Sequence, residues 1–315
     1  MNKPMPESAR EKRSDLISLL VVFAHTGFVV APLFVVAATG LTWWIVLLWL
    51  WFGASMNGLL NLMHECSHYH VFKAKLGSDL LGHWILGPLS LTDFDDYRKR
   101  HWDHHRNLGA DDDPKYAYRV DLRGVRFALV LVKCLLGVEA LRKFVFQLKN
   151  KSSTSIDGGV KSYRWLLRAF LFHVALASVL FVVAQYHNPW MGSVEVGGRV
   201  AMTIGVYAYG LSSLTVFFAT LRAIAEHQID SSKAAYRGQA ALRNFTCSIP
   251  TWLLMGAYGF SDHATHHERP AIPYYRLGEV TRELSIGDRS FEPVYSYPAT
   301  LVGIVFHRSS EVQGL

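Results

Sequence analysis

Apolar and polar positions alternate along this chain in long blocks. From Leu16 to His64 there is no Asp, Glu, Lys or Arg, a stretch of 49 residues. A bilayer crossing takes about 20 apolar residues, so this block predicts two helices with a turn near Thr39-Gly40. Charge-free runs from Ala169 to Val194 and from Val200 to Leu221 each predict one more crossing. The pattern is that of an all-α integral membrane protein with four transmembrane helices in two hairpins, at about residues 16–38, 42–64, 167–187 and 200–222. Residues 65–165 and 223–315 then form a cap on one face, and the whole of 1–315 reads as a single membrane domain.

Shorter blocks refine the picture. Leu80 to Leu91 is apolar but too short to cross, which predicts a re-entrant or interfacial piece. Val125 to Leu148 interleaves apolar residues with Arg126, Lys133, Glu139, Arg142 and Lys143, as in a helix lying at the membrane surface or capping the protein. Asn150 to Ser162 has linker composition. Phe245 to Phe260 is apolar but punctuated by Pro250 and Gly256. Trp43, Trp44 and Trp190 fall at expected span ends, where indole rings favour the headgroup level.

Composition agrees: 50% of residues are hydrophobic and 18% charged, against about 25% charged in soluble domains. The two outer connections, Ala37 to Leu41 and Tyr186 to Arg199, hold one of the 32 Lys and Arg residues. By the positive-inside rule both termini and the cap are cytoplasmic. That distribution, together with anionic lipid, accounts for the net charge of +7, and no nucleic-acid motif is present. Cys66, Cys134 and Cys247 are expected as free thiols on the reducing face. The polar Met1 to Asp15 segment and the long run after it do not read as a cleavable leader.

The chemistry lies where apolar blocks give way to polar chain. Nine histidines fall there: His64 and His68, then His101, His104 and His105, then His227, then His263, His266 and His267. Spacing of i, i+3 and i+4 puts the rings on one side of a helix, and neutral imidazole is a ligand for zinc, copper, iron and nickel. Nine rings exceed what one tetrahedral ion uses and suit a dinuclear centre. An even number of crossings between clusters lets all four meet on one face. His64-Glu65-His68 also satisfies HExxH, so a membrane zinc metalloprotease is the distant alternative, although it leaves six histidines unused. His25 and His173 lie inside spans and are expected as neutral, hydrogen-bonded rings.

As a set, the boxes resemble those of the membrane-bound fatty acid desaturase and hydroxylase superfamily, with the forms HxxxH, HxxHH and (H/Q)xxHH at His64–His68, His101–His105 and His263–His267. Gly109 to Pro114 (GADDDP) and Pro273-Tyr274-Tyr275 extend the likeness, whereas Glu268-Arg269 depart from the apolar residues common there. The resemblance implies a mushroom-shaped helical protein with an acyl tunnel, whose nine histidines hold two irons, and dioxygen-dependent desaturation of a fatty-acyl or lipid substrate. A hydroxylase or ketolase on the same scaffold is the alternative. Removing hydrogen from an unactivated methylene needs a redox metal, dioxygen as co-substrate and electrons, which redox-inert zinc does not supply. No HPGG haem motif of the cytochrome b5 type occurs, so a separate donor, ferredoxin or a free cytochrome, is expected. Glu65, Asp103, Glu226, Asp262 and Glu268 stand beside the rings in sequence and are expected to accept their outward N–H groups. Asp111, Asp112 and Asp113 are expected in a solvated turn.

Overall fold

Among the described residues, four helices are long and apolar enough to cross a membrane: α1 (Asp15–Thr39), α2 (Ile45–Ser67), α7 (Gly158–His187) and α8 (Ser193–His227). They are the frame of a computed structural model that describes residues 14–40, 43–115, 124–150, 158–228, 234–294 and 296–306. The N-terminal segment before Ser14, most of the expected linker and His307 lie outside the described residues. The Ser14 side chain caps α1 by accepting the Ile17 N–H, and the helix ends at Gly40, where φ is +78°.

The outward surfaces of these helices are apolar, including Phe23, Leu47, Phe170 and Val182, as a hydrocarbon environment requires. Their inward faces share one core in which Val29 and Leu33 meet Phe52, Met56, Leu59 and Leu62, with Leu180, Ala184 and Val196 alongside. Two histidines of the spans are hydrogen-bonded inside the bundle. His25 bonds Tyr258 Oη at 2.5 Å and Ser55 O at 3.0 Å, and His173 bonds Ala169 O and Tyr207 Oη. At one end of the bundle, Asn188 and Arg199 both donate to Ala38 O, tying the two outer connections together.

Two spans run past their expected limits. α8 covers 35 residues, about 50 Å at 1.5 Å per residue, against a hydrocarbon core of about 30 Å. Charged residues end the apolar run but not the helix: Glu195 caps the start by accepting the Gly192 N–H, and Arg222 and Glu226 sit in its last turns. A π-helical turn at Leu211–Thr215 interrupts α8. α7 likewise begins at Gly158, several residues before its apolar part.

Shorter elements pack beneath this frame. The Leu80–Leu91 piece is α3 (Lys75–Leu81) continued through a π turn to Leu89, with Leu86 and Leu89 buried and Tyr207 Oη donating to Leu89 O. α4 (Phe94–Asn107) follows. In place of one helix over 125–148 there are two, α5 (Gly124–Leu135) and α6 (Val138–Asn150), because Gly137 takes φ +74° and breaks the ladder. Among the described residues the only strands are β1 (Ala235–Arg237) and β2 (Ala240–Leu242), an antiparallel pair with Ala235 opposite Leu242. Then come α9 (His263–Glu268), α10 (Leu277–Gly287) and α11 (Tyr297–Phe306). All three cysteines are free thiols.

Candidate metal centre

The first cluster sits on the last turns of α2, one helical turn apart. The helix is stopped by Tyr69, whose φ of +61° is unusual for a residue with a side chain. Tyr69 N bonds Cys66 O and His70 N bonds Glu65 O, so the chain folds back and lays His70 against Glu65. Glu65 is fully buried and takes Nδ1–H of His64 at 2.8 Å and of His70 at 3.1 Å. That tautomer leaves His64 Nε2 bare, and it is buried with no hydrogen-bond partner.

The second cluster lies along one face of α4, which Asp93 caps by accepting the Asp95 and Asp96 N–H groups. Two residues past the end of the helix, at Gly109, φ is +76° and an added Cβ would stand 1.9 Å from Arg237 O. Only glycine permits that close approach, and the turn it allows returns Asp113 to the rings. Asp113 Oδ1 accepts Nδ1–H of His104 at 2.9 Å and the Lys115 N–H at 2.8 Å, while Oδ2 accepts the Gly109 N–H at 3.3 Å. Asp113 is therefore a buried orienting group, whereas its neighbours Asp111 and Asp112 are exposed as expected.

The third cluster and His227 are held by two side chains with no counterpart in the sequence reading. Arg243, wholly buried, donates to Ala225 O at 2.9 Å and Gln228 O at 2.6 Å, closing the end of α8 beside His227. Asn244 accepts the Thr265 N–H and donates to Phe291 O, which anchors α9. Asn57 and Asn61 of α2 donate to Leu254 O, Met255 O and Ala257 O, fastening the approach to the third cluster onto the helix that carries the first. An amide or guanidinium on an apolar background is the sequence signal for such residues.

All nine rings converge and all are buried. Nε2 of His101 lies 2.6 Å from that of His68 and 3.0 Å from that of His105, which is itself 3.1 Å from His266 Nε2. Nε2 of His227 and His263 are 3.0 Å apart. A neutral imidazole nitrogen carries either one hydrogen or one lone pair and so serves one contact, and the three contacts in this run of four atoms cannot all be hydrogen bonds. A cation among them satisfies all. Two sets of donor atoms form, each within 4.8 Å of one another: His64, His68, His101, His105 and His266 in one, and His104, His227 and His267 in the other, with Glu226 and His263 joined to the second through His227. Burial pushes the imidazoles of His68, His101, His105, His263, His266 and His267 well below their ordinary range and that of His104 down to about 4. They are neutral at pH 7, the state in which imidazole binds metal. The donor set therefore fits two metal ions.

Of the carboxylates singled out in sequence, Glu65 touches a ring and Glu226 Oε2 lies 3.7 Å from His263 Nε2. The other three are turned elsewhere. Asp103 pairs with Arg106, Asp262 accepts from Thr281 and Ser261, and Glu268 pairs with Arg269. Being next to a histidine in sequence does not bring a side chain onto its ring when the two leave the helix in different directions. Both oxygens of Glu65 are held by imidazoles, unlike the free base of a single-zinc peptidase.

A sequence model of the fatty acid desaturase family matches residues 41–297. The chloroplastic omega-6 fatty acid desaturase of Spinacia oleracea is 23% identical over 77% of this chain and 54% of its own length. Its Arabidopsis thaliana counterpart is 24% identical over 84% and 58%, respectively. An sn-1 oleoyl-lipid 12-desaturase of Synechocystis is 23% identical over 87% of this chain and 77% of its own length. The chain thus spans somewhat more than half the length of the chloroplast relatives.

Proposed function

The chain belongs to the fatty acid desaturase family, and on that premise we propose that it is a dioxygen-dependent, di-iron desaturase that introduces a double bond into a fatty-acyl chain or acyl lipid. The observation that carries this reading is the run of facing Nε2 atoms of His68, His101, His105 and His266, from three separate segments, whose three contacts cannot all be hydrogen bonds. His64, His68, His101, His105 and His266 would hold one iron; His104, His227, His263 and His267 would hold the other. The names of the relatives support an acyl lipid that already carries one double bond as the substrate class.

Bound iron would supply the redox chemistry by which one dioxygen, two electrons and two protons take two hydrogens from adjacent methylenes and leave two waters. The chain's own part is positioning. Glu65 and Asp113 accept the outward N–H of His64 and His104, which fixes the tautomer and raises ligand basicity. Arg243, Asn244, Asn57 and Asn61 hold the ligand-bearing segments together, and burial of the rings keeps bulk water away. We read residues 1–315 as one membrane domain whose two hairpins carry a cytoplasmic cap, since the basic residues gather at the end opposite Ala38. The two electrons per turnover would come from a separate ferredoxin or cytochrome.

Lipid profiling in a bacterial host that makes monounsaturated lipids tests this. The wild-type chain should add a second double bond and His104→Ala should not. An iron-loaded wild type that leaves the profile unchanged, or yields only hydroxylated lipid, overturns the assignment.

A further inference from the structure

The nine histidines divide unequally, five donor atoms in one set and four in the other. We infer that Glu226 makes up the difference as a direct ligand, its Oε2 completing the second metal's shell beside His227 and His263. The inference rests on the di-iron reading above.

Three observations point to it. First, Oε2 stands 3.7 Å from His263 Nε2, which is itself 3.0 Å from His227 Nε2, and the three atoms form one compact donor group. At 3.7 Å there is no hydrogen bond. Two donors each about 2.1 Å from one ion, however, stand about 3 to 4 Å apart at angles of about 90° to 140°. Second, the other oxygen is already held. The Tyr297 hydroxyl, shared with Phe260 O at 2.8 Å, lies 3.1 Å from Oε1, and Arg222 Nε lies 3.5 Å from it. Arg222 is fixed in turn over the Phe260 ring at 4.0 Å. The carboxylate is thereby aimed, with Oε1 toward α11 and Oε2 toward the rings. Third, Glu226 is buried on the last turn of α8, where a carboxylate without a cation would be costly. The charges of Arg222 and Lys115 offset part of that, and Arg222 Nε, 3.5 Å from Oε1, makes no hydrogen bond.

The consequence is an electronically uneven pair. One iron would have only neutral nitrogen ligands, and the other would gain a hard anionic oxygen that favours its ferric state.

The test is iron counting and Mössbauer spectroscopy on 57Fe-loaded protein in detergent. Wild type should hold two irons with unequal quadrupole doublets. Glu226→Gln, nearly the same shape, should move one doublet only and weaken that iron's retention against chelator by more than about tenfold. Tyr297→Phe, which leaves the carboxylate but frees Oε1, should move the same doublet while both irons stay bound. If the Gln variant keeps both irons and both doublets, the inference is overturned. Should that variant not fold, unmoved doublets in Tyr297→Phe overturn it. A wild type that never binds a pair of irons overturns the di-iron reading as well, whereas a normal pair in the Gln variant removes the carboxylate ligand alone.

Discussion

Asp113→Asn isolates the orienting role of one carboxylate with little change in shape. In the wild type, Oδ1 accepts from His104 Nδ1 and Lys115 N, and Oδ2 accepts from Gly109 N. An Asn at this position has one acceptor for three donors. If its oxygen stays at the Oδ1 position, its NH2 faces the Gly109 N–H; if it flips, the NH2 faces both His104 and Lys115. The better choice turns a charged hydrogen bond worth about 1.5–3 kcal/mol into a neutral one worth about 0.5–1.5, and sets a buried donor against a donor. A net loss of about 1.5–3 kcal/mol corresponds to roughly 10- to 100-fold in metal affinity, since about 1.4 kcal/mol is one decade. The assay is iron per chain across a chelator series, with Asp103→Asn as the control because Asp103 pairs with the exposed Arg106 and touches no histidine ring among the described residues. The reasoning is refuted if Asp113→Asn keeps its iron within twofold of wild type, or if the control loses as much.

Helix contact and pH give two further predictions. A Cβ at Gly53 would lie 2.3 Å from Leu214 Cβ, so Gly53→Ala should lower stability by about 1–3 kcal/mol and Leu214→Ala should recover part of that loss; an unchanged melting temperature in detergent for the single variant would contradict the close packing. The iron-free protein should weaken as pH falls from about 6.5 toward 4: the folded His104 is held down to about 4 by burial while an unfolded histidine takes up a proton near 6.5, so protonation favours the unfolded chain across that window. A melting temperature at pH 5 equal to or above that at pH 7.5 would contradict it.

Most of the frame is legible from local pattern. A run such as Leu16 to His64 has no other stable place than a bilayer, and i, i+4 histidines share a helix face wherever the helix lies. What escapes is set by distant contacts. Asp113 looks like one of three solvated acids until the Gly109 turn, packed against Arg237 O, brings it back to His104. Charge ends a hydropathy run, so the continuation of α8 to His227 is hidden by Arg222 and Glu226, although both are helical. Arg243 and Asn244 show no periodicity, and their roles depend on carbonyls at Ala225 and Phe291. The break at Gly137 rests on one backbone angle inside a pattern that suits a single helix.

The order of the clusters along the polypeptide has a biosynthetic consequence. His227 closes the fourth span, and His263, His266 and His267 are translated after all four spans and most of the polar face. No nascent chain shorter than about 267 residues holds all nine histidines, so on the di-iron proposal metal loading would be a late, post-insertion event. Prematurely terminated products would hold the membrane spans yet lack part of the donor set.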